Sequence, residues 1–154
     1  MDDDRRFTLG GARAAAAQGE DELARWVGDF LASEGSDNGV LAAALAQDPH
    51  WWLGPISVPA DELVRLAGPE DEALCPIEPA DWEGDVDAMA ESLDDGWAPP
   101  PLLAEHQDGR LLLQDGNHRF EALVRAGATH AWTLVYFDDP RERDEFGETS
   151  ALPA

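Results

Sequence analysis

Lysine is absent from this chain of 154 residues, so all ten of its basic residues are arginine. That absence excludes a Walker-type phosphate lysine, a Schiff-base lysine and a lysine general base. Any cationic chemistry falls to Arg or His. Cysteine is almost absent too: Cys75 stands alone, which rules out a disulfide within the chain and fits a reducing compartment. Long apolar runs are missing. Arg5-Arg6-Phe7-Thr8-Leu9 looks superficially like a twin-arginine export signal, but three Asp precede it, and the alanine run Ala14 to Ala17 stops at Gln18-Gly19-Glu20-Asp21. No signal and no membrane span is expected, and the expected location is the cytoplasm. His50, His106 and His130 are scattered without ligand spacing, and no cysteine cluster joins them, so no structural zinc is expected and no metal ligands are assigned.

Positive charge is scarce as well. Against 33 Asp and Glu the ten arginines leave a formal net charge of −23. A DNA backbone is bound through a basic stripe that releases counterions, and this chain as a whole repels polyanions, so DNA is not an expected partner. The acidity reads most simply as solubility or adaptation to salt; docking of a basic protein partner is the other reading. A hydrophobic content of 44% with six Trp argues for a folded protein, and the length suits one domain with a real core.

The apolar pattern describes mixed secondary structure. Residues 1–19 are polar and Ala/Gly-rich, with partial disorder expected. Leu23, Trp26, Val27, Phe30 and Leu31 recur at helical spacing, and Val40 to Ala46 makes a second, Ala-rich helix. His50-Trp51-Trp52-Leu53-Gly54-Pro55 breaks the helical pattern. The Trp pair could stack on a base, although core or lid contacts are the commoner use of such residues. Ile56-Ser57-Val58 reads as a short strand, Ala60 to Ala67 as a helix, Glu70 to Asp81 as an irregular acidic stretch, and Val86, Met89, Ala90 and Leu93 as a helix face. Asp108-Gly109 signals a two-residue hairpin between Leu102–Glu105 and Arg110–Leu113. Trp132 to Phe137 is the clearest strand, and Asp139 is placed to cap a helix starting at Pro140. These elements predict a compact mixed α+β domain with short strands and a β-hairpin. The expected organisation is an N-terminal helical extension at 1–54, the domain at 55–146 and a flexible tail at 147–154.

Chemistry concentrates at Asp115-Gly116-Asn117-His118-Arg119. Arg110 to Gln114 reads as a strand and Phe120 to Ala126 as a helix, with Gly127 at the left-handed stop position. A strand, a glycine turn and a helix opening on His and Arg form a plausible anion site, because the first amides of a helix lack intrahelical acceptors. In that reading Arg119 anchors phosphate with its planar fork, His118 donates a hydrogen bond or shuttles a proton, and Gly116 lets the backbone approach. Asn117 serves as the helix cap, and Asp115 holds Mg²⁺ or orients its neighbours. Phe120, Leu123 and Val124 are the expected core residues of the helix. On composition alone the same residues make an ordinary turn.

The stretch from about Ile56 to Phe137 resembles the ParB/sulfiredoxin-like superfamily. The likeness rests on the element order, on the five-residue turn with Ala122, and on Gly96 followed by Pro99-Pro100-Pro101. It implies a ParB/sulfiredoxin-like fold that binds a nucleotide at Gly116, Asn117, His118 and Arg119. Sulfiredoxins place a nucleophilic Cys where Asn117 stands, so their redox chemistry is not expected. Partition proteins carry Gly-Glu-Arg-Arg, which Gly116, Arg119 and Ala122 fit while Asn117 and His118 do not, and their following helix-turn-helix is not expected after Phe137. The free-serine-kinase branch, with Asp-Gly-His-His-Arg, is matched at Asp115, Gly116, His118 and Arg119. That branch implies an adenine nucleotide, ATP or ADP, and phosphotransfer to a small hydroxyl-bearing substrate, whereas the partition branch implies CTP; Mg²⁺ and nucleotide hydrolysis belong to the same expectation. Asp115 and His118 would be catalytic, with Glu70 at the place of the base. By its own surroundings, Glu70-Asp71-Glu72 reads as a solvated loop.

Overall fold

The computed structural model describes residues 8–33, 39–48, 50–65, 67–68, 75–94, 100–107 and 109–150. Helix α1 (Leu9–Gln18) begins where the Thr8 hydroxyl accepts from the Gly11 amide at 3.0 Å. A stretch with disorder in its expectation is therefore helical from residue 9, because alanine is the best helix former and the cap supplies the start. Helix α2 (Glu20–Leu31) follows, with acidic residues in its first turn and the whole stripe Leu23, Trp26, Val27, Phe30 and Leu31 buried. Helix α3 (Gly39–Gln47) is apolar but short and exposed, packing only through Leu41, Ala42 and Leu45.

Strand β1 (Trp51–Pro59) is three times the expected three-residue length and runs through the boundary expected at 54/55. Its register on the next partner shifts between Leu53 and Ile56, where Gly54 and Pro55 interrupt the ladder. Those two residues hid the strand in the sequence. Ala60–Glu62 is one 3₁₀ turn, and strand β2 (Leu63–Arg65) follows, so the helix expected at 60–67 is a correction. Leu63, Val64 and Arg65 pair in parallel with Leu111, Leu112 and Leu113, and that ladder overrides the propensity of so short a segment. Two-residue strands β3 (Ala67–Gly68) and β4 (Cys75–Pro76) pair with each other. Helix α4 (Pro79–Asp94) starts earlier than the apolar pattern from Val86 suggests, with Pro at its first position.

Strands β5 (Leu102–Gln107) and β6 (Arg110–Asp115) form the expected hairpin, Gln107 opposite Arg110, and Gly109 supplies the left-handed turn residue at φ 79°. Helix α5 (Asn117–Arg125), strand β7 (His130–Phe137) and helix α6 (Pro140–Ser150) complete the chain. The Asp139 carboxylate accepts from the Arg141 amide at 2.7 Å, and the helix it opens carries through to Ser150, past the Gly147 at which a flexible tail was expected.

The main sheet has the order β1-β7-β5-β6-β2 and mixes antiparallel with parallel pairs, so the chain is a compact α+β domain. One face buries Trp52, Leu103, Leu134 and Tyr136 under the α2 stripe and Ala12 of α1. The other buries Val58, Leu63, Leu102, Ala104, Leu111, Leu113, Val135 and Phe137, with Phe120 and Leu123 of α5 and Phe146 of α6 packed on them. Helix α4 lies behind α5 through Trp82, Val86 and Ala122. Val124, an expected core residue, is 41% exposed because it falls on the outer side of α5. Among the described residues no helix is long and apolar enough to cross a membrane.

Candidate functional site

The turn between β6 and α5 lies at one end of the sheet. Gly116 adopts φ 96° and ψ 23° and is the residue that caps α5. A Cβ there would stand 2.7 Å from Leu102 Cδ2 and 2.9 Å from Arg119 Nη2, so both the backbone and the space demand glycine. The cap position had been expected to fall on Asn117. Left-handed geometry selects Gly116 instead, and Asn117 becomes the first helical residue, its Nδ2 donating to the Leu113 carbonyl at 3.3 Å. Gly116 offers no side chain, and the first intrahelical bond is Phe120 N to Gly116 O at 2.8 Å. The amides of Asn117, His118 and Arg119 thus precede the helical ladder, at the positive end of the helix dipole.

Arg119 does not project into solvent. It is 7% exposed, and its Nη2 donates both to Asp115 Oδ2 and to the Pro101 carbonyl, each at 3.2 Å. Its Cζ lies 5.5 Å from the Phe30 ring centre, so α2 reaches the site. Its Nε is buried with no acceptor among the described residues. Asp115, 8% exposed, is the last residue of β6 and stands opposite Leu103. The fork expected to face a phosphate is directed at a carboxylate and a carbonyl beneath the turn.

His118 is the more accessible side chain. Its ring centre lies 4.6 Å from that of Trp82, and its Nε2 is 3.6 Å from Asp85 Oδ2, beyond a proper hydrogen bond. Burial pushes the imidazole pKa down; Asp85 pulls it up and Arg119 pushes it further down. The neutral form is therefore favoured at neutral pH. Around it the charges are paired. Arg65 stacks over Trp82 at 4.7 Å and bonds Glu121 at 2.9 Å, and Arg125 grips Glu83 with bonds of 2.8 and 2.9 Å.

The structure brings Asp115, Gly116, Asn117, His118 and Arg119 together at the turn. Glu70, assigned as a base, lies outside the described residues. Trp82 and Asp85 were missed as site residues. Trp82 falls four residues before Val86, so extending the apolar spacing back by one turn would have found it. Among the described residues no group of three His, Cys, Asp or Glu side chains is placed to hold a metal ion.

No protein-family model matches the chain, and no curated protein matches it. Among solved structures, the C2221 crystal form of a Pnob8-like ParB-N domain is a neighbour. It shares 20% identity at a TM-score of 0.34, over 66% of this chain and 35% of that chain. The chain therefore spans about a third of that neighbour's length, and at that TM-score the likeness assigns no activity.

Proposed function

We propose that the Gly116–Arg119 turn binds the phosphate of a small ligand, a nucleotide in the first place. The observation that carries this reading is a helix start whose cap, Gly116, brings no side chain, set above a nine-tenths-buried arginine whose Nε has no acceptor among the described residues. A permanently charged guanidinium buried beneath the turn adds positive potential to that of the helix start, and an anion bound there is favoured by both. In this arrangement the amides of Asn117, His118 and Arg119 contact phosphate oxygens. Arg119 acts as a positioning residue held by Asp115, rather than as the phosphate fork. His118, kept neutral by burial, can take a proton from a hydroxyl near that phosphate.

ATP, ADP or CTP with Mg²⁺, and a small hydroxyl-bearing acceptor, are the ligand classes that the family resemblance implies. Transfer of a phosphoryl group, or hydrolysis of the nucleotide, is the matching activity; it needs positioning and charge stabilisation more than covalent chemistry. Asp115 suits Mg²⁺ poorly while Arg119 occupies its carboxylate.

A thermal-shift panel of ATP, ADP, CTP, GTP, pyrophosphate and phosphate, each with and without Mg²⁺, tests the reading. Ligand at a hundred times its Kd adds about 2.7 kcal/mol of stability, which a melting curve resolves. The expected result is a selective shift by one nucleotide that weakens in His118→Ala. No shift from any phosphate compound would sink the proposal and leave the turn a structural one.

A further inference from the structure

Strand register places five side chains in one row across the main sheet: Val64 on β2, Leu112 on β6, Glu105 on β5, Tyr136 on β7 and Trp52 on β1. Side chains alternate along a strand, and Trp52 and Tyr136 belong to the core under α1 and α2, so the whole row lies on that face. Among the described residues the helices cover only part of it. The sheet residues in that core come from β1, β5 and β7, and none from β6 or β2. Trp52 and Tyr136 are buried, Leu112 is half-buried, and Val64 is 39% exposed. Glu105 stands where the covered half meets the open half.

Glu105 is poorly provided for. Gln114 Nε2 donates to its Oε1 at 3.3 Å, and among the described residues no arginine pairs with it. Arg110, farther along β6, is exposed. Burial raises the Glu105 pKa, Asp138 adds a like charge, and His50, 3.3 Å from Asp138, offsets part of this. Arg65, the cation nearest in sequence to Val64, bonds Glu121 of α5, on the opposite side of the sheet. A half-buried carboxylate beside apolar surface, with no arginine partner among the described residues, is the counterpart of a long basic side chain, whose apolar stem and charged head need both.

We infer that the open end of this row, Val64–Leu112–Glu105, docks a lysine or arginine side chain from a basic peptide segment of a partner protein. The stem lies on Val64 and Leu112, and the head pairs with Glu105. Charge complementarity selects this occupant: a chain of net charge −23 draws basic segments and repels acidic ones. The inference stands apart from the phosphate reading, since it uses none of the residues at the turn.

Fluorescence anisotropy of the full chain with a labelled Lys-Leu-Lys-Leu-Lys peptide tests it. The expected result is binding that weakens about tenfold or more in Glu105→Gln, the loss of a charge-assisted hydrogen bond. Glu91→Gln, an exposed acid on α4, should change nothing. No binding, or equal losses in the two variants, would overturn the inference and leave diffuse acidity as the whole effect. If Glu105→Gln does not fold, a carbon-detected titration of the unmodified chain decides: the Glu105 pKa must fall when the peptide is added, and an unchanged pKa rejects the site.

Discussion

Asp115 and Arg119, four residues apart, form an ion pair at 3.2 Å, with only 10% and 9% of their side chains exposed. The pair joins the end of β6 to the first turn of α5, and the Pro101 carbonyl shares the same guanidinium. Breaking such a pair strands a charge in a dry place. Arg119→Ala is expected to cost about 3–5 kcal/mol. Asp115→Leu combined with Arg119→Met should cost much less than the sum of the single changes. Urea unfolding of the four proteins measures the coupling; additive losses would show that the pair holds nothing together.

Gly116 separates backbone strain from space. At Gly116→Ala a Cβ meets Leu102 and Arg119 inside 3.0 Å and φ is 96°, whereas at Gly109→Ala φ is 79° with nothing within 4 Å. The hairpin change is expected to cost about 1 kcal/mol, the usual penalty for a left-handed non-glycine residue. The Gly116 change should cost roughly 2 kcal/mol more, since its neighbours must shift as well. Equal losses by urea melt would mean that Leu102 and Arg119 yield freely.

What could be read from the sequence follows its physics. The α2 stripe, the hairpin at Gly109, the strand ending at Phe137 and the Asp139 cap each rest on a local signal, and each is found in the structure. Of the strand at Trp51–Pro59 only Ile56 to Val58 was legible, and the strand at Leu63–Arg65 was not, because their full extent comes from ladders with β7 and β6 more than forty residues away. At the site, the Asp115-to-Arg119 motif is adjacent in sequence and so was found whole. The inward turn of Arg119 was not, since Pro101 and Phe30 reach it from other elements.

His118 should make stability depend on pH. Its folded-state pKa is lowered, chiefly by burial, so the folded protein prefers the neutral ring. The sign follows: its contribution is fully present above the unfolded value of about 6.5 and is lost as pH falls from there through the folded pKa. Urea midpoints at pH 7.5 and pH 5 should therefore draw closer together in His118→Gln than in the parent chain. An identical difference in both proteins would place the titration elsewhere.

The N-terminal helices bear on whether the chain folds as one unit. Leu31 of α2 is fully buried in a cluster that also holds Trp52, Leu103, Leu134 and Tyr136 of the sheet, while Leu113 is fully buried on the opposite face. Truncating either to Ala removes contacts from a packed interior, at about 2–5 kcal/mol each. If the helices and the sheet share one cooperative core, Leu31→Ala and Leu113→Ala will each lower a single transition, and tryptophan fluorescence and far-ultraviolet circular dichroism will coincide. The probes are well placed, since Trp26 sits in α2, Trp52 in β1 and Trp82 in α4. A separable helical extension would behave otherwise: Leu31→Ala would release an early transition seen at Trp26 and leave the sheet's midpoint where it was. Because Phe30 of that same helix lies against Arg119, losing α2 early would also loosen the turn, and any ligand-induced shift would shrink with it.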